Sequence, residues 1–183
     1  KPAIYLYPET TSFVNVQVLS SQPFTYTDPL YPLGGWSVLA DPTGIINYGN
    51  KFYDYLYYET KVADDKIEKP KNGFVVQKSE IGTLLADILP KLGLNIKETK
   101  QFYDYWLTVL PRSPYYFVGI IPQSNLEQMT SLNVLPKPQT EIRVTLYFEP
   151  LEKTIIIPEP FIITPKRTGF TLVEWGGIYK RDK

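Results

Sequence analysis

The stretch FYDYLYYE, residues 52–59, holds the first candidates for chemistry, because it places five aromatic rings and two carboxylates in eight positions. The chain contains no His and no Cys, so acid–base catalysis would fall on carboxylates, Tyr or Lys. The most suggestive pair is Glu59, at the end of this stretch, and Glu174, which precedes Trp175. Two carboxylates roughly 5 to 10 Å apart among aromatic rings would match the arrangement of a glycosidase.

These two carboxylates also have a commoner explanation, in which each forms an ion pair or a hydrogen bond at the end of a strand. The absence of His and Cys excludes Ser-His-Asp and Cys-His catalysis and the usual zinc sites. The glycine pairs at 34–35 and 176–177 lack the Walker lysine and the dinucleotide-binding spacing. We therefore commit to no catalytic residue, expect no cofactor and no metal, and favour a role other than catalysis.

A second kind of chemistry is ligand binding through tyrosine. If FYDYLYYE is one strand, its alternation places Tyr53, Tyr55, Tyr57 and Glu59 on one face. Tyrosine combines a flat apolar ring with a polar tip, so this face, together with Trp175, could bind a glycan or a protein. The alternative is that these rings pair across strands or lie under helices, where they stabilise the sheet.

Composition limits the classes of protein and partner. With 183 residues, 43% of them hydrophobic and 21% charged, the chain is expected to form a single globular domain over 1–183. Lys plus Arg and Asp plus Glu are equal at 19 each, which argues against nucleic acid as a partner. No apolar run reaches the roughly 18 to 20 residues that span a bilayer, so we expect no membrane insertion. The chain begins at Lys1 without a Met, which suggests excision or processing from a longer protein.

Strand patterns flank the middle of the chain. In SFVNVQVLS, residues 12–20, valines alternate with polar residues, as in a strand with one solvated face. EIRVTLYF and GFTLVEWGG have similar strand patterns, and Asp41-Pro42-Thr43-Gly44 predicts the turn of a hairpin. TIIIP and FII are interpreted as edge strands, limited by Pro158, Pro160 and Pro165.

Helical periodicity occurs between these strands. An apolar stripe predicts a helix over about 80–92, with Ser79 as its N-cap and Gly93 as its end. A second helix is predicted over about 97–110, and the second FYDY, at 102–105, fits its packed face, so we interpret that copy as structural. The predicted fold is α+β: a mainly antiparallel sheet or sandwich of about eight or nine short strands, with the two consecutive helices packed on one side.

Three stretches of the chain together resemble a family of bacterial proteins of unknown function: KPAIYLYPE at 1–9, YLYYE at 55–59 and PKRTGFTLVEWGG at 165–177. Between them, GWSVLADPTG, LGLNIKETKQFYDYW and LPKPQTEIRV are similar to the family's middle pieces in the same order. The chain therefore resembles this family over nearly its whole length, although it has Tyr58-Glu59-Thr60 where a Trp-Glu-Gly is expected. The resemblance implies a bacterial, extracytoplasmic domain near the end of longer proteins, and no activity or site residue.

Taken together, these patterns predict a non-catalytic extracytoplasmic binding or surface module of a bacterial protein. Its ligand would be a glycan or a protein, bound through exposed Tyr53, Tyr55, Tyr57 and Trp175. One alternative is a carboxylate-dependent hydrolase of polysaccharide or cell-wall material that uses Glu59 and Glu174. Another is a structural component of a surface assembly.

Overall fold

The computed structural model describes residues 2–61 and 68–180, which form an α+β fold of twelve strands and three helices. The predicted fold class is confirmed, although the strands outnumber the expected eight or nine. By their contacts the residues divide into a first unit, of 1–62, 123–143 and 166–174, and a second unit, of 63–122, 144–165 and 175–183. The single domain expected over 1–183 stays a prediction.

The described strands form two sheets. They are β1 (Ala3–Tyr7), β2 (Ser12–Ser20), β3 (Phe24–Asp28), β4 (Trp36–Ala40), β5 (Ile46–Tyr48), β6 (Lys51–Tyr53), β7 (Leu56–Thr60), β8 (Gly73–Gln77), β9 (Tyr115–Ile120), β10 (Thr130–Leu135), β11 (Thr140–Leu151) and β12 (Thr171–Tyr179). The helices are α1 (Ile81–Lys91), α2 (Ile96–Val109) and α3 (Gln123–Met129). One sheet has the order β3-β7-β1-β12-β11-β9-β8, and the other β10-β2-β4-β5-β6. All pairs in the second sheet are antiparallel, as are β3–β7, β7–β1, β11–β9 and β9–β8.

The core of the first unit is built from alternating strand residues. On β2, Val14, Val16 and Val18 are buried while Asn15 and Gln17 are half-buried, which confirms the predicted alternation. Fully burying a side chain of this size contributes roughly 1.5 to 3 kcal/mol, so this period fixes which face of β2 points inward. The other members of this core are Ile4, Leu6, Trp36, Val38, Ala40, Ile46, Leu56, Tyr58, Val134, Phe170 and Leu172.

The predicted turn at 41–44 is confirmed. The Asp41 carboxylate accepts hydrogen bonds from the Thr43 amide at 2.8 Å, the Thr43 hydroxyl at 2.6 Å and the Ile45 amide at 3.1 Å. These bonds, of which the one from the Thr43 side chain has the largest effect, lower the pKa of Asp41 below its usual value. Gly44 has a φ of 87°, which glycine adopts readily, and the turn joins β4 to β5.

Helices α1 and α2 of the second unit agree closely with the predicted spans. Gly93 follows α1 with a φ of 98°, which confirms the predicted helix end. The predicted N-cap at Ser79 is wrong, because Lys78–Glu80 form a separate 3-10 turn before α1. The N-terminus of α2 instead has a capping box that the sequence analysis missed: the Asn95 side chain accepts from the Glu98 amide at 2.9 Å, and Glu98 accepts from the Asn95 amide at 2.7 Å.

Aromatic rings from α2 pack onto strand residues within the second unit. Phe102 lies 5.2 Å from Trp175 and Trp106 lies 5.0 Å from Phe148, measured between ring centroids. Phe102 is fully buried, so the prediction that this FYDY copy is structural is confirmed for its first residue. The absence of a side chain at Gly177 on β12 allows the Trp106 ring to pack close to the backbone. A Cβ at position 177 would lie 2.4 Å from the nearest atom of that ring.

The prediction of one strand over 52–59 is wrong. β6 ends at Tyr53 and belongs to the five-stranded sheet, whereas β7 begins at Leu56 in the seven-stranded sheet. A bend at Asp54 and Tyr55 separates them, which interrupts the alternation of side chains between the two strands. The regular period therefore holds only within each short strand.

The edge strands predicted at TIIIP and FII are also wrong, because residues 154–168 form no strand. Among the described residues, the one backbone–backbone hydrogen bond to residues 154–165 runs from the Gly73 amide to the Pro158 carbonyl oxygen, at 3.0 Å. Prolines at 158, 160 and 165 lack the amide hydrogen that a ladder requires. β-branched residues alone do not make a strand without a neighbour to pair with.

Gly177→Ala is expected to destabilise the second unit, because the new methyl group would overlap the Trp106 ring. We expect the free energy of unfolding to fall by about 1 to 3 kcal/mol, measured by urea denaturation. Trp106→Phe in the same chain removes the overlapping atoms and should recover part of this loss in a double-mutant cycle. Equal effects of Gly177→Ala in the parent chain and in the Trp106→Phe variant would contradict this contact.

Candidate functional site

A buried polar network lies in the core of the first unit. The Tyr58 hydroxyl donates to Glu174 Oε1 at 2.7 Å, and Arg143 Nε donates to Glu174 Oε2 at 2.7 Å. The side chains of Arg143 and Glu174 are 1% and 3% exposed, and Tyr58 is 1% exposed. Tyr58 also forms a side-chain hydrogen bond with Thr130. Both oxygens of the buried carboxylate therefore have a donor.

Strand alternation brings these side chains together. Tyr58 comes two residues after Leu56 on β7, and Glu174 comes two residues after Leu172 on β12, so each shares the inward face of a core residue. β11, which neighbours β12, supplies Arg143. The sequence analysis assigned Arg143 no role, because no local pattern relates it to Glu174.

Burial and charge both shift the proton affinities of this network. Burial, followed by the negative charge of Glu174, raises the pKa of Tyr58 well above its usual value. Burial opposes the charged form of Arg143, but the Glu174 carboxylate outweighs this and raises the pKa of Arg143. At neutral pH Tyr58 thus remains a protonated donor and Arg143 a cation. Both oxygens of Glu174 are thus engaged by side chains of the network.

Glu59, the other candidate acid, is not brought into this network. Tyr57 donates its hydroxyl hydrogen to the Glu59 carboxylate, and both residues lie on the face of β7 opposite to Tyr58. Glu59 and Glu174 therefore have separate hydrogen-bonding partners, as the commoner explanation of the two carboxylates expects. Glu174, on β12, is bound by Tyr58 from one face of β7, whereas Glu59 lies on the opposite face of β7, so the two carboxylates do not share the cleft that a hydrolase would need.

The three tyrosines predicted to share one strand face lie in different elements of the first unit. Tyr53, on β6, packs against the core, and Tyr55, in the bend, has its ring 5.4 Å from that of Tyr5. Tyr57 alone lies within β7. The prediction that these three tyrosines share a face is wrong, because the chain passes from one sheet to the other between Tyr53 and Leu56. In the second unit, Trp175 is fully buried, so its expected exposure is wrong as well.

A different pair of tyrosines, exposed Tyr26 on β3 and half-buried Tyr57 on β7, lies on the face of the first unit's sheet opposite to Tyr58. We call Tyr26, Asp28, Tyr57 and Glu59 the tyrosine face. In the antiparallel register Tyr26 is opposite Glu59 and Asp28 is opposite Tyr57. The Tyr26 and Tyr57 ring centroids are 5.6 Å apart, and Tyr26 is 56% exposed. These four side chains combine two aromatic rings with two carboxylates on one rigid surface.

The sequence analysis missed Tyr26, because the stretch around it, PFTYTDPLYPLGG at 23–35, has the proline and glycine content typical of turns. The stretch FTYTD, residues 24–28, does contain strand-forming aromatic residues and threonines, but a register shift between Phe24 and Tyr26 places Phe24 against the core and Tyr26 on the other face. The prolines and glycines at 29–35 obscured this strand, since they mark the turn that follows β3.

A shallow depression in the second unit offers less chemistry than the tyrosine face. It lies beside the N-terminal half of α2, and the Lys100–Asp104 ion pair is at its rim. Ile96, which contributes to its lining, is 89% exposed. The other apolar lining residues are Pro90 and Leu94. No group of acidic side chains in ranges 2–61 and 68–180 could hold a metal ion. The helices within these ranges are too short or too polar to cross a membrane.

Breaking the buried network should destabilise the first unit strongly. Arg143→Met leaves the Glu174 carboxylate buried without its cation, so the free energy of unfolding should fall by about 3 to 5 kcal/mol. Tyr58→Phe removes one hydrogen bond to the charged group and should cost about 1.5 to 3 kcal/mol. Arg143→Met with Glu174→Leu should be less destabilising than Arg143→Met alone. Urea denaturation measures all three.

Tyr57→Phe is the matched control for Tyr58→Phe, because it removes a hydroxyl that binds the more exposed Glu59 carboxylate. Its effect on unfolding should be less than half that of Tyr58→Phe. Equal losses of unfolding free energy for Arg143→Met and Tyr57→Phe would contradict the predicted contribution of the Arg143–Glu174 ion pair.

Similarity to known proteins adds no residue to this site. No protein-family model, curated protein or solved structure matches the chain. Any function must therefore be argued from the chain's own residues and their geometry.

Proposed function

We propose that this chain is a non-catalytic binding module of a bacterial extracytoplasmic protein, and that its tyrosine face binds a glycan or a protein ligand. The observation that carries the proposal is the outward-facing Tyr26–Tyr57 pair beside the Glu59 carboxylate. The bacterial origin and extracytoplasmic location rest on the family resemblance of the sequence.

The physical chemistry of the face suits recognition. Tyrosine rings supply large apolar contact area at a low cost in conformational entropy, and their hydroxyls and the carboxylates supply polar contacts. Both strands belong to the seven-stranded sheet, so the backbone that carries these side chains is held by pairing. A surface that is rigid before binding loses less entropy when the ligand is bound.

Catalysis has less support from the same geometry. The buried carboxylate of Glu174 is bound by Arg143 and Tyr58, and the Glu59 carboxylate lies on the other face of β7. A general acid and base must both reach one substrate, which these two residues do not share.

Tyr26→Ala and Tyr57→Ala should each weaken ligand binding by roughly five- to thirtyfold, the range for aromatic residues at the centre of an interface. Binding is measured on a glycan array and a displayed peptide library, and then in solution with the strongest hit. Phe13→Ala is the matched control, because Phe13 is an exposed aromatic residue, at 78%, on β2 of the other sheet. If Phe13→Ala weakens binding and the tyrosine variants do not, the tyrosine face is not the binding surface.

A structural role in a surface assembly is the second candidate, and a specific feature favours it. Within the second unit, Ile156, Phe161 and Ile163 are 106%, 89% and 78% exposed in a segment that forms no strand. Large apolar side chains gathered in one exposed segment often mark an interface. The partner in this candidate is a second copy of the chain.

Ile156→Ser with Phe161→Ser should convert an oligomer to a monomer if this segment joins two copies. Light scattering coupled to gel filtration measures the mass of both proteins over a range of concentration. Leu30→Ser with Leu33→Ser is the control, since both leucines are exposed, at 82% and 106%, outside this segment. A monomeric parent protein at high concentration would exclude the second copy as the partner.

A further inference from the structure

Negative charge surrounds the tyrosine face. The Tyr55 pKa is raised by burial and then by the charges of Asp54 and Asp28, which places both carboxylates near that ring. Asp28 is exposed, and neither Asp28 nor Glu59 has an ion-pair partner within the described ranges. Lys61, just beyond the end of β7, is the adjacent cation along the strand. Within the described ranges, Asp28 and Glu59 thus give the tyrosine face two carboxylates that no ion pair neutralises.

Tyrosine rings and carboxylates together are suited to bind a cation. A ring attracts a cation over its face, and nearby carboxylates add Coulombic attraction and hydrogen-bond acceptors. The first unit shows this chemistry internally, because the Arg167 guanidinium carbon lies 5.5 Å from the centroid of the Tyr7 ring. The hydroxyls of a neutral sugar can donate hydrogen bonds to the same carboxylates, but a neutral sugar carries no charge that complements theirs.

The position of the face on the sheet favours a polypeptide over a cationic polysaccharide. β3 is an edge strand, with β7 as its neighbour in the described sheet. The register shift in this pair lies between Phe24 and Tyr26, so Tyr26–Asp28, the part that carries the face, is regularly paired. An extended polypeptide can add backbone hydrogen bonds along such an edge while its side chains reach the neighbouring face. The apolar stems of Lys and Arg can lie along tyrosine rings.

We infer that the partner of the tyrosine face is an extended polypeptide segment bearing exposed arginine or lysine side chains, an inference that rests on the proposed function. Tyr26 and Tyr57 contact the cationic side chains, and Asp28 and Glu59 supply the opposite charge. The edge of β3 aligns the bound segment.

The test uses an acetylated and amidated penta-arginine peptide with a fluorescent label, and the same peptide with citrulline in place of arginine. Citrulline keeps nearly the same shape but replaces the charged, five-donor guanidinium with a neutral urea group, which has fewer N–H donors and a carbonyl acceptor. Fluorescence anisotropy should show binding of the arginine peptide at low salt and at least tenfold weaker binding of the citrulline peptide. The dissociation constant should rise as salt increases from about 50 to about 500 mM, as screening of exposed charges requires. Equal binding of both peptides, or binding of neither, would overturn the inference.

Asp28→Asn with Glu59→Gln should weaken binding of the arginine peptide by roughly three- to tenfold, because two exposed charge contacts are lost. Tyr26→Ala should weaken it by roughly two- to fivefold, as expected for an exposed cation–π contact. Glu159→Gln is the matched control, since Glu159 is an exposed carboxylate in the second unit, and it should leave binding unchanged. Circular dichroism confirms that each variant is folded, and Glu59→Gln alone serves if the double variant is not.

The outcomes separate this inference from the proposed function. If a neutral glycan or peptide binds and Tyr26→Ala abolishes that binding while the charge variants do not, the tyrosine face is a binding surface and the cationic partner is wrong. If the arginine peptide binds with equal strength to Tyr26→Ala, Tyr57→Ala and both charge variants, it binds elsewhere on the chain and the cationic partner of the tyrosine face is wrong, while the proposed function is decided by the glycan array and the peptide library. Full competition by a chitosan oligomer with the arginine peptide would indicate that the partner is a cationic polysaccharide and not a polypeptide.

Discussion

Glu174 brings a carboxylate into the core of the first unit, where the residue is 2% exposed. An ion held there without compensation would cost several kcal/mol, so the fold depends on the two groups that bind it, Arg143 and Tyr58. Together with Glu174 these groups come from three strands, β7, β11 and β12, and each strand must present one particular side chain inward. A slip of one residue on any of these strands would turn its polar group outward and leave the others unpaired. The ion pair thus specifies the register of the strands around it.

The same constraint positions the tyrosine face. Tyr57 and Glu59 flank Tyr58 on β7, so the register that directs the Tyr58 hydroxyl to Glu174 also directs these two side chains to the other face. β3 pairs with β7 and brings Tyr26 and Asp28 opposite to them. The buried network and the outward face are therefore two consequences of one alternation. Stability of the core and geometry of the surface are coupled through a strand of five residues.

The features that the sequence predicted correctly depend on interactions between residues that are close in the chain. The alternation of Val14, Val16 and Val18, the turn at Asp41 and the stripes of α1 and α2 each depend on residues that are close in the chain. Two failures are local, the N-cap at Ser79 and the missed capping box of α2, but the failures at the candidate site depend on partners that are distant. FYDYLYYE has strand-forming residues throughout, but its two ends pair in different sheets, which no local pattern shows. Tyr58 and Glu174 are 116 residues apart, and Arg143 is 31 residues from Glu174, so their pairing arises only from the tertiary fold.

An exposed aromatic edge strand is usually a risk, because it offers unpaired backbone groups and apolar area to another copy of the chain. Here the charges of Asp28 and Glu59 limit that risk. Two copies that met through the tyrosine face would place identical carboxylates near each other, and like charges on paired strands are destabilising. A segment with positive side chains encounters no such penalty and can contact the same rings. The charges that disfavour self-association at this edge are thus the charges that would select a cationic partner.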